Sequence, residues 1–368
     1  MRRRSKAPTP RVLRLLWALC FAGAVFNLLM GVCGGLMRIG TLPPHLAAPN
    51  AWHGALMVCG VFGTLISLER AVAVRRRWGV IAPLGAAAGG LALLAGQVLL
   101  AWSLWALAAA ALLALYVQTL RVRWTLHGGV EAAGAMAWGL GTAAAAVNAP
   151  PAASLLGWCA FLLLTIVGER RELSQFVRLG AGARWAFNAS AGAAMAAVVI
   201  AWAAPRAATL LWWAACGALA VWLLARDFAP RQWGAPQWRG HVAQALTVGY
   251  VWLLVAAAAG LAGAVMDPAA PALDGSALHA LLLGFVFAMV FGHAPIMLPA
   301  LAGLTPGYVP WARAAVWVLA ASLVLRICAT QAGWPAGRAL AGGGHAAALL
   351  LFAAALLTGI ARREQRGS

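Results

Sequence analysis

The sequence is poor in acid. Eight aspartates and glutamates stand against 27 lysines and arginines in 368 residues, and charged residues of either sign make up only 10%. A water-soluble domain needs far more polar surface, so a soluble fold is excluded. Paired cysteines are also missing. Cys20, Cys33, Cys59, Cys159, Cys216 and Cys328 stand singly inside apolar runs, with no CxxC. That pattern offers neither a zinc site nor a disulfide framework, and it suits small buried apolar residues. No long polar domain interrupts the chain; the longest polar stretches cover only about 168–184 and 227–240.

What fills the sequence instead is apolar: 64% hydrophobic residues, with a mean hydropathy of +0.85. Runs long enough to cross a bilayer recur from end to end. Twelve are expected, at 13–37, 51–70, 78–97, 99–120, 129–147, 151–169, 185–204, 207–226, 242–265, 277–300, 310–332 and 338–361. The third and fourth are divided only by a tight turn near Gln97. The expected fold is therefore all-α, a polytopic transmembrane helix bundle of about twelve spans forming a single integral membrane domain over 1–368. A basic cytoplasmic leader covers 1–12 and a cytoplasmic tail covers 362–368. The start MRRRSKAPTP followed by an apolar run could open a signal peptide, but the run continues to about Leu36, too long for one, with no clean A-x-A site.

The basic residues sort by side. With the N-terminus inside, 23 of the 27 fall in cytoplasmic segments, leaving Arg38, Arg206 and Arg338 outside and Arg326 within the eleventh span. This is the positive-inside pattern of an N-in, C-in chain. The same scatter argues against nucleic acid as a partner, because nothing gathers the charge into one patch or arm.

Topology then sorts the histidines by depth. His45, His53, His279 and His345 lie towards the outer side; His127, His241 and His293 lie towards the inner side. Ionisable groups inside spans are costly and usually face a cavity or cofactor. His45 and His127 suit plain interfacial positions. His279 and His293 share one span, fourteen residues apart. On an ideal helix that spacing leaves the rings about 40° apart on one face and about 21 Å apart along the axis. One metal cannot reach both, so they are read as two sites, with His53 and His345 as outer partners and His241 as the inner one. His53 with Met57, and His293 with Met297, each place a thioether four residues after an imidazole, a pairing that can hold copper or serve as axial haem ligands. It equally suits methionine as a gap filler. Pro295 and Pro299 should disturb the inner end of the tenth span. Arg326, with Arg38, could pair haem propionates or snorkel to the interface. Glu131, one turn after His127, is a group of the kind a proton entry needs. Glu69-Arg70 and Glu169-Arg170 are read as locally ion-paired helix ends.

Three stretches together resemble the NnrS family of bacterial haem- and copper-containing membrane proteins. They are Ala51-Trp52-His53 with Met57, LTVGYVWLL at 246–254, and SALHALLLGFVFAMVFGH at 276–293, where His279 and Gly284 match a His-Ala-Leu-x-x-Gly opening. The second span departs from the family's Trp-His-x-His-Glu-Met character, reading Trp-His-Gly-Ala-Leu-Met. The resemblance implies b-type haem held through His53 and His279, with or without copper. It also implies the bacterial inner membrane, nitric oxide or another small nitrogen oxide as ligand, an electron donor, and a role in nitrosative stress or denitrification, with membrane oxidoreductase activity an open possibility. The competing reading is a secondary transporter or metal permease without haem, which shares the helix count and the Gly/Pro breaks. Scarce acid in mid-span weighs against it.

Overall fold

The computed structural model describes residues 11–43, 47–174, 178–266 and 275–367. His45 and most of the expected leader lie outside the described residues. Among the described residues the twelve apolar runs become twelve helices. In chain order they are α1 (Arg11–Arg38), α2 (Ala47–Ala55, Leu56–Phe62 and Gly63–Val74), α3 (Ile81–Leu94, led in by a 3₁₀ turn over Arg77–Val80) and α4 (Val98–Val122). Then come α5 (Leu126–Ala146), α6 (Pro151–Leu173), α7 (Ala181–Ile200) and α8 (Pro205–Arg226). The last four are α9 (Gln237–Met266), α10 (Gly275–His279, Ala280–Val286 and Phe287–Ala302), α11 (Ala312–Gln331) and α12 (Pro335–Gly367). The tight turn between α3 and α4 is made by Gly96 at φ +77°, a left-handed conformation in which glycine carries no Cβ penalty.

Eleven of the twelve are long and apolar enough to cross a membrane. The other is α5, whose sequence LHGGVEAAGAMAWGLGTAAAA is diluted by glycine, alanine, His127 and Glu131. It nonetheless lies antiparallel along the full length of α6. Gly168 faces His127 and Glu131, Gly134 faces Phe161 and Thr165, and Gly141 faces Ser154 and Gly157. With α5 keeping pace with α6, the traverses among the described residues number twelve, and the start of α1 and the end of α12 fall on one side. That side also carries Arg70, Arg75, Arg121, Arg123 and Arg171, and the positive-inside rule makes it the inner face.

The α5–α6 seam is as close as backbones allow. A Cβ on Gly157 would lie 2.5 Å from the Gly141 Cα, so neither position has room for a side chain. Gly157→Leu should force the two helices apart and lower the thermal unfolding midpoint, with an overpacking cost of about 1–3 kcal/mol. An unchanged midpoint in a detergent-solubilised melt would show that the seam yields more easily than its geometry implies.

Two long helices depart from α-geometry in the same way. In α2 the seven residues Leu56–Phe62, and in α10 the seven residues Ala280–Val286, are π-helical and almost wholly buried. Each segment follows a histidine at the outer end, His53 or His279, and such insertions frequently mark functional places. The extra residue turns everything downstream by about 100° against an ideal count. The expectation that His279 and His293 share one face is therefore corrected: His279 points to α11, and His293 points to α2. Pro295 and Pro299 do not end α10, which runs on through both to Ala302.

At the centre, α2, α6 and α10 come together. Phe62 and Phe287 meet edge to face with ring centroids 5.4 Å apart. The surrounding helices are pinned by polar contacts. Asn27 of α1 donates to the Ala87 carbonyl of α3 at 3.3 Å, and Trp105 of α4 donates to the Ala86 carbonyl at 2.9 Å. At the inner ends two arginines reach across to carboxylates. Arg70 donates to Glu131 on α5 while lying 4.3 Å over the Tyr116 ring. Arg170 grips Asp227 with two hydrogen bonds, both 3.0 Å.

Candidate functional site at two depths

The outer cluster is assembled from α2, α10, α11 and α12. His53 sits against α1 where Gly35 leaves room for its ring. Its Nδ1–H donates to the Gly31 carbonyl at 2.6 Å. His279 does the same within its own helix, donating Nδ1–H to the Gly275 carbonyl at 2.5 Å. His345 is buried; the Ser322 hydroxyl donates to the Leu319 carbonyl at 2.9 Å and so accepts the His345 Nδ1–H at 2.8 Å. The Gly342-Gly343-Gly344 run permits this approach, since a Cβ on Gly344 would lie 2.6 Å from the Ser322 Cβ.

In all three rings the proton is fixed on Nδ1 by its acceptor, and Nε2 keeps its lone pair. The Nε2 of His345 is buried with no partner, and that of His279 accepts a hydrogen bond from Arg326 at 3.2 Å. Metal-ligating histidines show this pattern, with one ring nitrogen tied to a carbonyl or another acceptor and the other left to bind. His279 lies within electrostatic reach of Arg326, His53 and His345, and His53 within reach of Arg38 and Arg326. The structure thus brings His53, His279, His345 and Arg326 together. Met57 turns elsewhere: it is buried against α1, where a Cβ on Gly31 would meet its sulfur at 2.6 Å, so it fills the α1–α2 groove.

The inner cluster is built around a cavity of about 190 Å³ at the junction of α2, α6 and α10. Glu69, Glu169 and His293 line it, one from each helix, with Met297 one turn beyond His293. Glu69 and His293 each stand seven residues past the end of their π segment, and this matched register brings Glu69 Oε1 to 3.6 Å from His293 Nε2. His241, expected beside His293, is placed elsewhere. Its Nε2 meets the Phe291 carbonyl at 2.9 Å and its ring stacks on Phe352 at 5.8 Å, away from the cavity. His127 lies 3.8 Å from Glu172, and Glu131 is held by Arg70.

The two Glu-Arg pairs are not the local ion pairs expected from sequence. Adjacent helical residues point about 100° apart. Arg70 and Arg170 give their charged ends to Glu131 and Asp227, and Glu69 and Glu169 are left facing the cavity, whose wall Arg170 also touches. The repeated dipeptide at 69–70 and 169–170 carried that signal.

Among the described residues no group of three or more histidine, cysteine, aspartate and glutamate side chains is arranged to hold a metal ion. His53, His279 and His345 therefore do not form such a three-ligand group, and the inner His293 is not part of one.

Residues 14–361 match the model of a family described as a domain of unknown function, DUF8744. The chain belongs to the DUF8744 family. No curated protein matches its sequence. Among solved structures, the DUF8744 chain is similar to a haem-copper terminal oxidase determined as a dimer by cryo-EM, with a TM-score of 0.62. The two share 11% identity over 96% of this chain and 84% of the other. At that identity the likeness is one of fold: an all-helical membrane bundle.

Proposed function

We propose that this DUF8744 protein is a haem-binding protein of the bacterial inner membrane that handles nitric oxide or another small nitrogen oxide. In this reading b-type haem is held at the outer ends of α2 and α10 by His53 and His279. The observation that carries it is the shared pose of these rings, each with Nδ1–H tied to a backbone carbonyl so that the lone pair stands on Nε2. The fit extends beyond the two rings. His345 offers a third, buried and unpartnered Nε2, and Arg326, with Arg38 near His53, supplies cations for propionates. For His279 to ligate, Arg326 must leave its Nε2, and a propionate is a better partner for a guanidinium than a neutral imidazole. The oxidase-like fold and the NnrS-like stretches around His53 and His279 support the same reading. For copper, no group of three or more histidine, cysteine, aspartate and glutamate ligands stands among the described residues.

Haem between two histidines would pass electrons, so gas handling would require one of His53 and His279 to give up its hold when nitric oxide binds. The chain's own part is to fix the ring tautomers through Gly31 and Gly275, to neutralise carboxylates with Arg326, and to close the site with the α1 and α12 glycines. Protein purified after expression with ample haem should show the Soret and visible bands of b-type haem, shifted by reduction and again by nitric oxide. A colourless preparation would overturn the proposal.

The inner cavity favours a second reading, a secondary transporter, because charged side chains facing a small cavity at a helix junction are what such proteins use. Uptake of a candidate solute into vesicles, abolished by Glu69→Gln, would favour that reading over haem chemistry.

A further inference from the structure

We infer that Glu169 is a proton-exchanging carboxyl group, and that with Glu69 and His293 it forms a proton-binding site reached from the inner face. The inference does not depend on haem at the outer end. It begins from a charge count around the cavity. Arg70 is committed to Glu131 beside Tyr116, and Arg170 to both oxygens of Asp227. Those two pairs cancel. What remains at the cavity is two carboxylates, Glu69 and Glu169, and one imidazole, His293. Even with His293 protonated, one negative charge is left over, on walls whose other polar members are Thr165 and the Asp227-paired Arg170 and whose remainder is apolar, including Leu162, Ile166 and Val286. An unpaired carboxylate in such surroundings neutralises itself by taking a proton.

The geometry says which group takes it. Glu69 stands 3.6 Å from His293 Nε2, too far for a hydrogen bond but close enough for charge pairing. Glu169 makes no hydrogen bond or ion pair with any described residue, and feels Glu69, Glu131, Arg70 and His293 only at a distance. His293 in turn lies within reach of Glu69, Glu169 and Arg170, and its buried Nε2 has no hydrogen-bond partner. The trio therefore holds two protons at electroneutrality, one on His293 facing Glu69 and one on Glu169. The cavity extends to Leu173, which is exposed at the basic end of α6, so protons can come from that side.

Infrared difference spectroscopy of the whole purified protein, taken while pH is raised, tests this without reference to activity. Wild type should show the carbonyl stretch of a protonated carboxylic acid, fading with rising pH and moving in heavy water. The band should vanish in Glu169→Gln, stay in Glu131→Gln, and return at a displaced position in Glu169→Asp. The displaced band decides the matter if the glutamine variant fails to fold. A band that survives Glu169→Gln, or that disappears with Glu131→Gln instead, overturns the assignment. So does a wild type without the band, and Glu169-dependent binding of sodium, potassium or calcium would then show that a metal cation supplies the missing charge.

Discussion

Asp227→Ala should destabilise the protein by about 3–5 kcal/mol, the cost of leaving a buried ionic partner alone. Asp227 is buried and engaged on three counts: both oxygens receive Arg170, and Oδ1 also accepts from the Ala229 backbone N–H at 2.7 Å. Arg170→Ala should cost a similar amount, since it leaves the carboxylate buried and unpaired. The double variant should lose little more than either single one, because the two changes remove the same interaction. Chemical unfolding in mild detergent measures all three. Additive losses would mean that each residue acts through other partners. A wild-type-like Asp227→Ala would mean that the α6–α8 junction does not depend on the pair.

His53→Ala and His279→Ala should each abolish most of the reduced-minus-oxidised haem signal, while His293→Ala leaves it intact. The expected contrast is large because the first two rings stand at the outer ends of α2 and α10, whereas His293 faces Glu69 in the inner cavity. Haem content per protein, read as the pyridine haemochrome, gives the measurement, and a melting curve of each variant separates ligand loss from misfolding. Equal loss from all three, with unchanged melting, would place haem elsewhere and sink the outer-site assignment.

Much of this architecture was legible in the residues. Helix number, order and sidedness followed from apolar length and arginine placement, since a bilayer leaves few options for a chain with 10% charged residues. The outer grouping of His53, His279 and His345 followed from depth alone. Orientation about the helix axes did not. The π segments in α2 and α10 have no composition that sets them apart, and each shifts the downstream faces, so the His279–His293 geometry drawn on an ideal helix failed. His241 misled for a related reason: depth placed it beside His293, but its ring is spent on the Phe291 carbonyl and Phe352. Glu69 and Glu169 were hidden by their neighbours, because sequence shows adjacency and a helix separates adjacent side chains.

The modest apolarity of α5 has a consequence in time. Its buried face is matched, glycine by glycine, to α6, and few of its large side chains are left for lipid: Leu126 and Met136 are the exposed ones. Such a segment gains little by entering a bilayer alone. It gains much by entering with α6, four residues away across the turn at 147–150. A helical hairpin of α5 and α6 is thus the smallest piece of this chain that gains by entering a bilayer, and it brings Glu131 to an arginine on α2, which precedes it in the chain.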